Sequence, residues 1–84
     1  MTDRARRIVI NVELPDRSQN TSAERIVMLA ADVRDAAAQG RRKAEDYATR
    51  YTAAGWKIDE DGWEMSVAEH TLSVYMRLVR EGNE

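Results

Sequence analysis

His70 is the only histidine in the chain, and Glu69 stands directly beside it. That pairing could orient the imidazole as a general base, but a base needs a nucleophile and a pocket to act in. No second histidine completes a metal pair, and none is spare for a Ser-His-Asp set, so the expected place of His70 is a solvated turn or strand end. Asp59, Glu60 and Asp61 are the densest group of hard oxygen ligands, the kind that hold Mg²⁺ or Ca²⁺. They lack the spacing and closing glutamate of an EF-hand loop, and tandem carboxylates do acid–base work only where a pocket separates their pKa values. An exposed hairpin tip is the expected setting. Cysteine is absent, which removes thiol nucleophiles, thiolate metal sites and disulfides. The glycines Gly40, Gly55, Gly62 and Gly82 stand singly, so no phosphate-cradling loop is present. The expectation is a protein that is not an enzyme, with no catalytic, cofactor-binding or metal-binding residues.

The remaining candidates are residues that bind rather than react. Trp56 and Trp63 flank the acidic turn, and Tyr47 and Tyr51 precede them, so an aromatic cluster is expected at one end of the core. Tryptophan and arginine dominate protein interfaces, which makes either indole a candidate anchor for a partner. Arginine outnumbers lysine 11 to 2 and alanine is the commonest residue, a bias that fits a GC-rich coding genome such as an actinobacterium or one of its phages. Two basic groups stand out, Arg4, Arg6 and Arg7 near the N-terminus and Arg41, Arg42 and Lys43 in mid-chain. The net charge of −2 supplies no global field for nucleic acid or an anionic membrane.

Three kinds of element must position these residues. From Arg6 to Leu14 the chain alternates, with Ile8, Ile10, Val12 and Leu14 on one face and Arg7, Val9, Asn11 and Glu13 on the other, until Pro15 ends the strand. Thr21-Ser22-Ala23-Glu24 reads as a capping box opening a helix from Ala23 to Ala54, closed by Gly55. Ile26, Leu29, Ala30, Val33, Ala37, Gly40, Ala44, Tyr47, Ala48 and Tyr51 recur every three or four residues on one stripe. Arg42–Asp46 and Asp46–Arg50 ion pairs are expected on the outer face. Such a helix would run about 45–50 Å, against about 30 Å for the longest neighbouring strand, so it outruns its sheet. Gly40 costs about 1 kcal/mol in a helix interior. The expectation is that it permits close backbone approach rather than breaking the helix.

After Gly55, Trp56-Lys57-Ile58 and Trp63-Glu64-Met65-Ser66-Val67 read as two strands joined by a turn over Asp59–Gly62. The last segment alternates at Leu72, Val74, Met76 and Leu78 and is read as a strand, with a helix opened by Ser66-Val67-Ala68-Glu69 as the alternative. The expected fold is α+β, a single domain over residues 1–84. Its order is β-α-β-β-β (alternative β-α-β-β-α), with one long amphipathic helix packed on one face of a four-stranded mixed sheet. Strands one and two are expected to be parallel. A chain of 84 residues buries about 60–65% of its unfolded surface and gains of order 5–10 kcal/mol, so assembly can matter to it. No stretch suits a signal peptide or membrane helix, which points to the cytoplasm and away from membranes.

Three functions compete on this reading. The first is a small, non-enzymatic, self-associating interaction or regulatory protein, a dimer or higher homo-oligomer that acts by binding another protein. Its candidate interface joins a second helical patch, Val27, Met28 and Ala31, to the small-residue groove of Ala37, Gly40 and Ala44 and to Trp56 and Trp63. The second is a nucleic-acid-binding regulator. The strand ending in Leu14-Pro15-Asp16 and followed by a helix resembles the ribbon-helix-helix repressors, over about 50 residues. That resemblance implies a dimer contacting the DNA major groove, with Arg4, Arg6, Arg7, Arg41, Arg42 and Lys43 as contacts. The chain departs from it in showing no new helix start after Gly40 and in its strand-rich last third. The third is a small-molecule-binding oligomer, for which Trp56, Trp63, Tyr47 and Arg50 are the candidates.

Overall fold

The computed structural model describes residues 5–80, so Arg4 of the basic N-terminal group lies outside the described residues. Four elements follow in order: β1 (Ala5–Glu13), α1 (Ser22–Ala53), β2 (Trp56–Ala68) and β3 (Thr71–Arg80). The fold is α+β, with one long helix against a three-stranded sheet in the order β1-β3-β2.

β1 is a strand for the reason its alternation suggests. Ile10 and Val12 are buried under the helix, Ile8 is half-buried, and Leu14 just beyond the strand is buried as well. β1 pairs with β3 through nine successive residue pairs without a break, from Ala5 opposite Val79 to Glu13 opposite Thr71. The last segment is the strand β3, not a helix. Its alternate residues Leu72, Val74, Met76 and Leu78 are all fully buried. A residue set with period two can bury one face as a strand, whereas a helix would scatter it around its circumference.

The expected four-stranded mixed sheet is corrected to three strands, all antiparallel to their neighbours. Trp56–Ile58 and Trp63–Val67 are not two strands but one, β2, with an irregularity between Asp59 and Glu64. There the chain takes five residue steps while β3 takes two, from Arg77 to Tyr75. The odd number of extra residues reverses the parity of the strand. Trp56 and Ile58 face the helix before the irregularity, and Trp63, Met65 and Val67 face the same side after it, which strict alternation would forbid. Gly62 permits this: a Cβ there would come within 2.7 Å of the Arg77 Cβ. The reversal of the chain falls instead at Glu69-His70, with Glu69 in the left-handed region at φ +56°. β1 and β2 do run in the same direction, but β3 lies between them, so they are not neighbours.

The helix begins as its sequence dictates. The Glu24 amide donates to Thr21 Oγ1 (3.2 Å) and the Thr21 amide donates to Glu24 Oε1 (3.0 Å), closing the capping box. It runs 32 residues without a break, about 48 Å, and ends before Gly55, whose φ of +101° turns the chain into β2. Gly40 lies inside it and is buried. A Cβ at Gly40 would stand 2.6 Å from Val74 Cγ2 and 3.3 Å from Val12 Cγ2. The glycine therefore lets the helix backbone sit directly on β1 and β3. Ala36, Ala44 and Ala48, at four-residue spacing on the same row, are the other helical residues in the core. Ahead of Val33 no apolar residue of the helix packs against the core, and all its residues but Met28 and Asp32 are exposed.

Candidate functional site

Two surfaces remain incompletely covered after the chain has folded. The first is the N-terminal third of α1. Ile26 and Val27 are each 72% exposed and Leu29 is 49% exposed, although Ile26 and Leu29 lie on the stripe that is buried further along. Ala30 and Ala31 are exposed and Met28 is half-buried. This overhang is held by its cap and by one bidentate ion pair. Arg17, in the loop after β1, donates from Nε to Asp32 Oδ2 (2.9 Å) and from Nη2 to Asp32 Oδ1 (3.0 Å). That hydrogen bond lowers the Asp32 pKa below the usual carboxylate range. The Glu24 carboxyl is lowered too, first by the Thr21 amide that it accepts from. Close to the same end of the sheet, Met65 (58% exposed) and Val67 (50%) look out from β2 on the helix side, only partly covered.

The second surface is the outer edge of β1. Among the described residues no strand pairs with it. A trough of about 460 Å³ runs along it, lined by Ile8, Val9 and Ile10 of β1 and by Lys43, Tyr47 and Tyr51 of the helix. Tyr47 belongs to the apolar stripe yet is 58% exposed, because it overlooks this trough instead of a strand.

The residues singled out in the sequence are distributed differently than their spacing suggests. Gly40 and Ala44 are buried inside the fold of the single chain. Val27, Met28 and Ala31 do share the overhang. Ala37 is half-buried and, with Arg41, Trp63, Met65 and Val74, lines a groove of about 270 Å³ between α1 and β2. The two tryptophans do not form one cluster. Trp56 meets Tyr51 edge-on at 6.4 Å and lies within cation–π range of Arg6 and Arg80 (5.5 and 5.8 Å). Trp63 lies under Arg41 at 4.4 Å, with its indole N–H buried and without an acceptor among the described residues.

The basic groups are also split. Arg6 and Arg7 point to opposite faces of β1, Arg6 to Trp56 and Arg7 to Tyr75 on the open face. Arg41 is engaged by Glu45 and Glu60, and among the described residues this Arg41–Glu45 pair takes the place of the expected Arg42–Asp46 and Asp46–Arg50 pairs. The helix does not divide at Gly40 as a ribbon-helix-helix chain would. Asp59, Glu60 and Asp61 serve the β2 irregularity: Asp59 pairs with Arg77 (3.8 Å) and accepts from the Asp61 amide (3.1 Å). Among the described residues, no group of acidic or histidine side chains is placed to hold a metal ion. None of their helices is long and apolar enough to cross a membrane. His70 is exposed at the hairpin turn, where its carbonyl accepts from the Leu14 amide (2.7 Å). The free edge of β1 has no sequence signal of its own, since strand order depends on distant pairing.

No protein-family profile, no curated protein and no solved structure matches this chain.

Proposed function

We propose that the chain is a non-enzymatic, self-associating interaction protein that acts by binding another protein. One observation carries this reading: the helix has more apolar length than its own sheet can cover, leaving Ile26, Val27 and Leu29 exposed on one projecting segment. Apolar residues scattered singly over a surface are ordinary, but three within four positions of one helix form a patch. A projecting helix with an apolar face is the form that seats in a partner's groove. The homo-oligomer, with no membrane and no cofactor involved, is part of the same proposal.

Light scattering on a sizing column, with a random DNA duplex added at low salt, tests it. The expected result is separate elution of DNA and protein, with the protein at twice its 9.6 kDa chain mass or more. A strictly monomeric protein at high concentration contradicts the reading. Co-elution with DNA that disappears between about 50 and 200 mM salt replaces it with nucleic-acid binding through the arginines.

A further inference from the structure

We propose that the outer edge of β1 is the seam of a homodimer, formed by antiparallel pairing with β1 of a second copy about a twofold axis at Ile10. This rests on the self-association reading and names the surface responsible. The sheet has two edges, and they are built differently. β2 is broken by its irregularity and carries Asp59, Glu60, Asp61 and Glu64 around it, the features that keep an edge from pairing. β1 has no such break: its pairing with β3 is regular throughout, no proline interrupts it before Pro15, and its charges, Arg6, Arg7 and Glu13, stand near its two ends, leaving Ile8 to Val12 free of them.

The backbone sets the register. Leu14 donates its amide to His70 on the β3 side, so by strand alternation the even-numbered residues of β1 face β3. The amides and carbonyls of Arg7, Val9, Asn11 and Glu13 therefore face outward. Antiparallel pairing centred on Ile10 sets Arg7 opposite Glu13 of the second copy, Val9 opposite Asn11, and Ile8 opposite Val12. Arg7 and Glu13 are the charges that β1 itself carries on this face, and neither has an ionic partner among the described residues. Arg7 has only the Tyr75 ring at 5.4 Å and stands across from another cation, Arg77. Glu13 has no side-chain partner among the described residues. The twofold axis forms the Arg7–Glu13 pair twice, and Ile8, Ile10 and Val12 continue one apolar face across the seam.

The helices are spaced for this arrangement. Gly40 seats α1 on Val12 of β1 and Val74 of β3, hence over the gap between those strands. With strands about 4.8 Å apart, the twofold places the two helix axes about 10 Å apart, the ordinary packing distance of helices. The trough beside β1 is then occupied by the second copy, and the exposed Tyr47 and Lys43 become helix–helix contacts.

Charge exchange measured by sedimentation equilibrium tests the seam. Arg7→Glu and Glu13→Arg, each alone, should raise the dimer dissociation constant about tenfold; the double variant should return it to within about threefold of wild type. Both changes are on exposed side chains, so the fold is retained. Val9→Pro removes an outward N–H that β3 does not use and should give a folded monomer by circular dichroism and mass. A wild-type dimer indifferent to all four variants overturns the β1 seam while leaving self-association standing. A wild-type monomer overturns both.

Discussion

The two halves of α1 carry the same kind of stripe and have different fates. From Val33 onward the stripe is Ala37, Gly40, Ala44, Tyr47, Ala48 and Tyr51, and its small members Gly40, Ala44 and Ala48 bring the helix down onto Val12, Val74 and their neighbours, while Tyr47 stays exposed over the β1 edge. Before Val33 it is Ile26, Leu29 and Ala30, larger on average than those small members and exposed. Large side chains suit a surface that meets another surface across a gap, and small ones suit a backbone already in contact. The difference shows that amphipathicity marks which face of a helix binds and says nothing about what it binds. One half is committed to the chain's own sheet and the other is surplus to the fold.

Enlarging the contact residue should erase this difference most completely. Gly40→Val puts a branched side chain where even a Cβ meets Val74 at 2.6 Å, and overpacking of that kind outweighs the gain in helix propensity of less than about 0.5 kcal/mol. A loss of about 3 kcal/mol or more in urea denaturation is expected; an unchanged midpoint would mean that the helix is not seated there. Thr21→Ala removes the cap that holds the overhang and should cost about 1 kcal/mol. Ile26→Ala, on the same overhang, should change stability by no more than about 0.5 kcal/mol, since little is lost from contact. A cost as large as that of a core truncation would show that the overhang is covered within its own chain.

Acid should act on the same end of the molecule. Asp32 and Glu24 have folded pKa values below their ordinary ones, and so does Asp16, which accepts first from the Ser18 amide. Lowered values mean that their stabilisation is complete above about pH 5 and is lost as the pH falls through the folded pKa values. The loop and the start of α1 should loosen before the sheet does. Asp32→Asn should abolish part of that acid sensitivity, as followed by helical ellipticity against pH.

Much of this architecture is legible in the sequence. Alternation places β1 and its buried row, the Thr21–Glu24 spacing places the helix start, and Gly40 on the stripe indicates close approach. The mismatch in length between the helix and the strands points by itself to uncovered apolar surface. β2 is not legible as one strand, because Asp61-Gly62 has turn chemistry while the parity change depends on its pairing with β3. The true turn, Glu69-His70, has no glycine, asparagine or proline to mark it. The β1 edge is unmarked for a related reason: which strand is left unpaired follows from long-range pairing, not from the strand's own residues.

Amide hydrogen exchange followed residue by residue at two protein concentrations would separate the committed half of α1 from the surplus one. Slow exchange is predicted from Ala36 to Tyr51 at both concentrations, with much faster exchange from Ala23 to Ala31 in the dilute sample. On concentration, Arg7, Val9, Asn11 and Glu13 should gain protection while their even-numbered neighbours, already bonded to β3, do not change. Uniform protection along α1 with no concentration dependence in β1 would contradict both the uncovered overhang and the β1 seam.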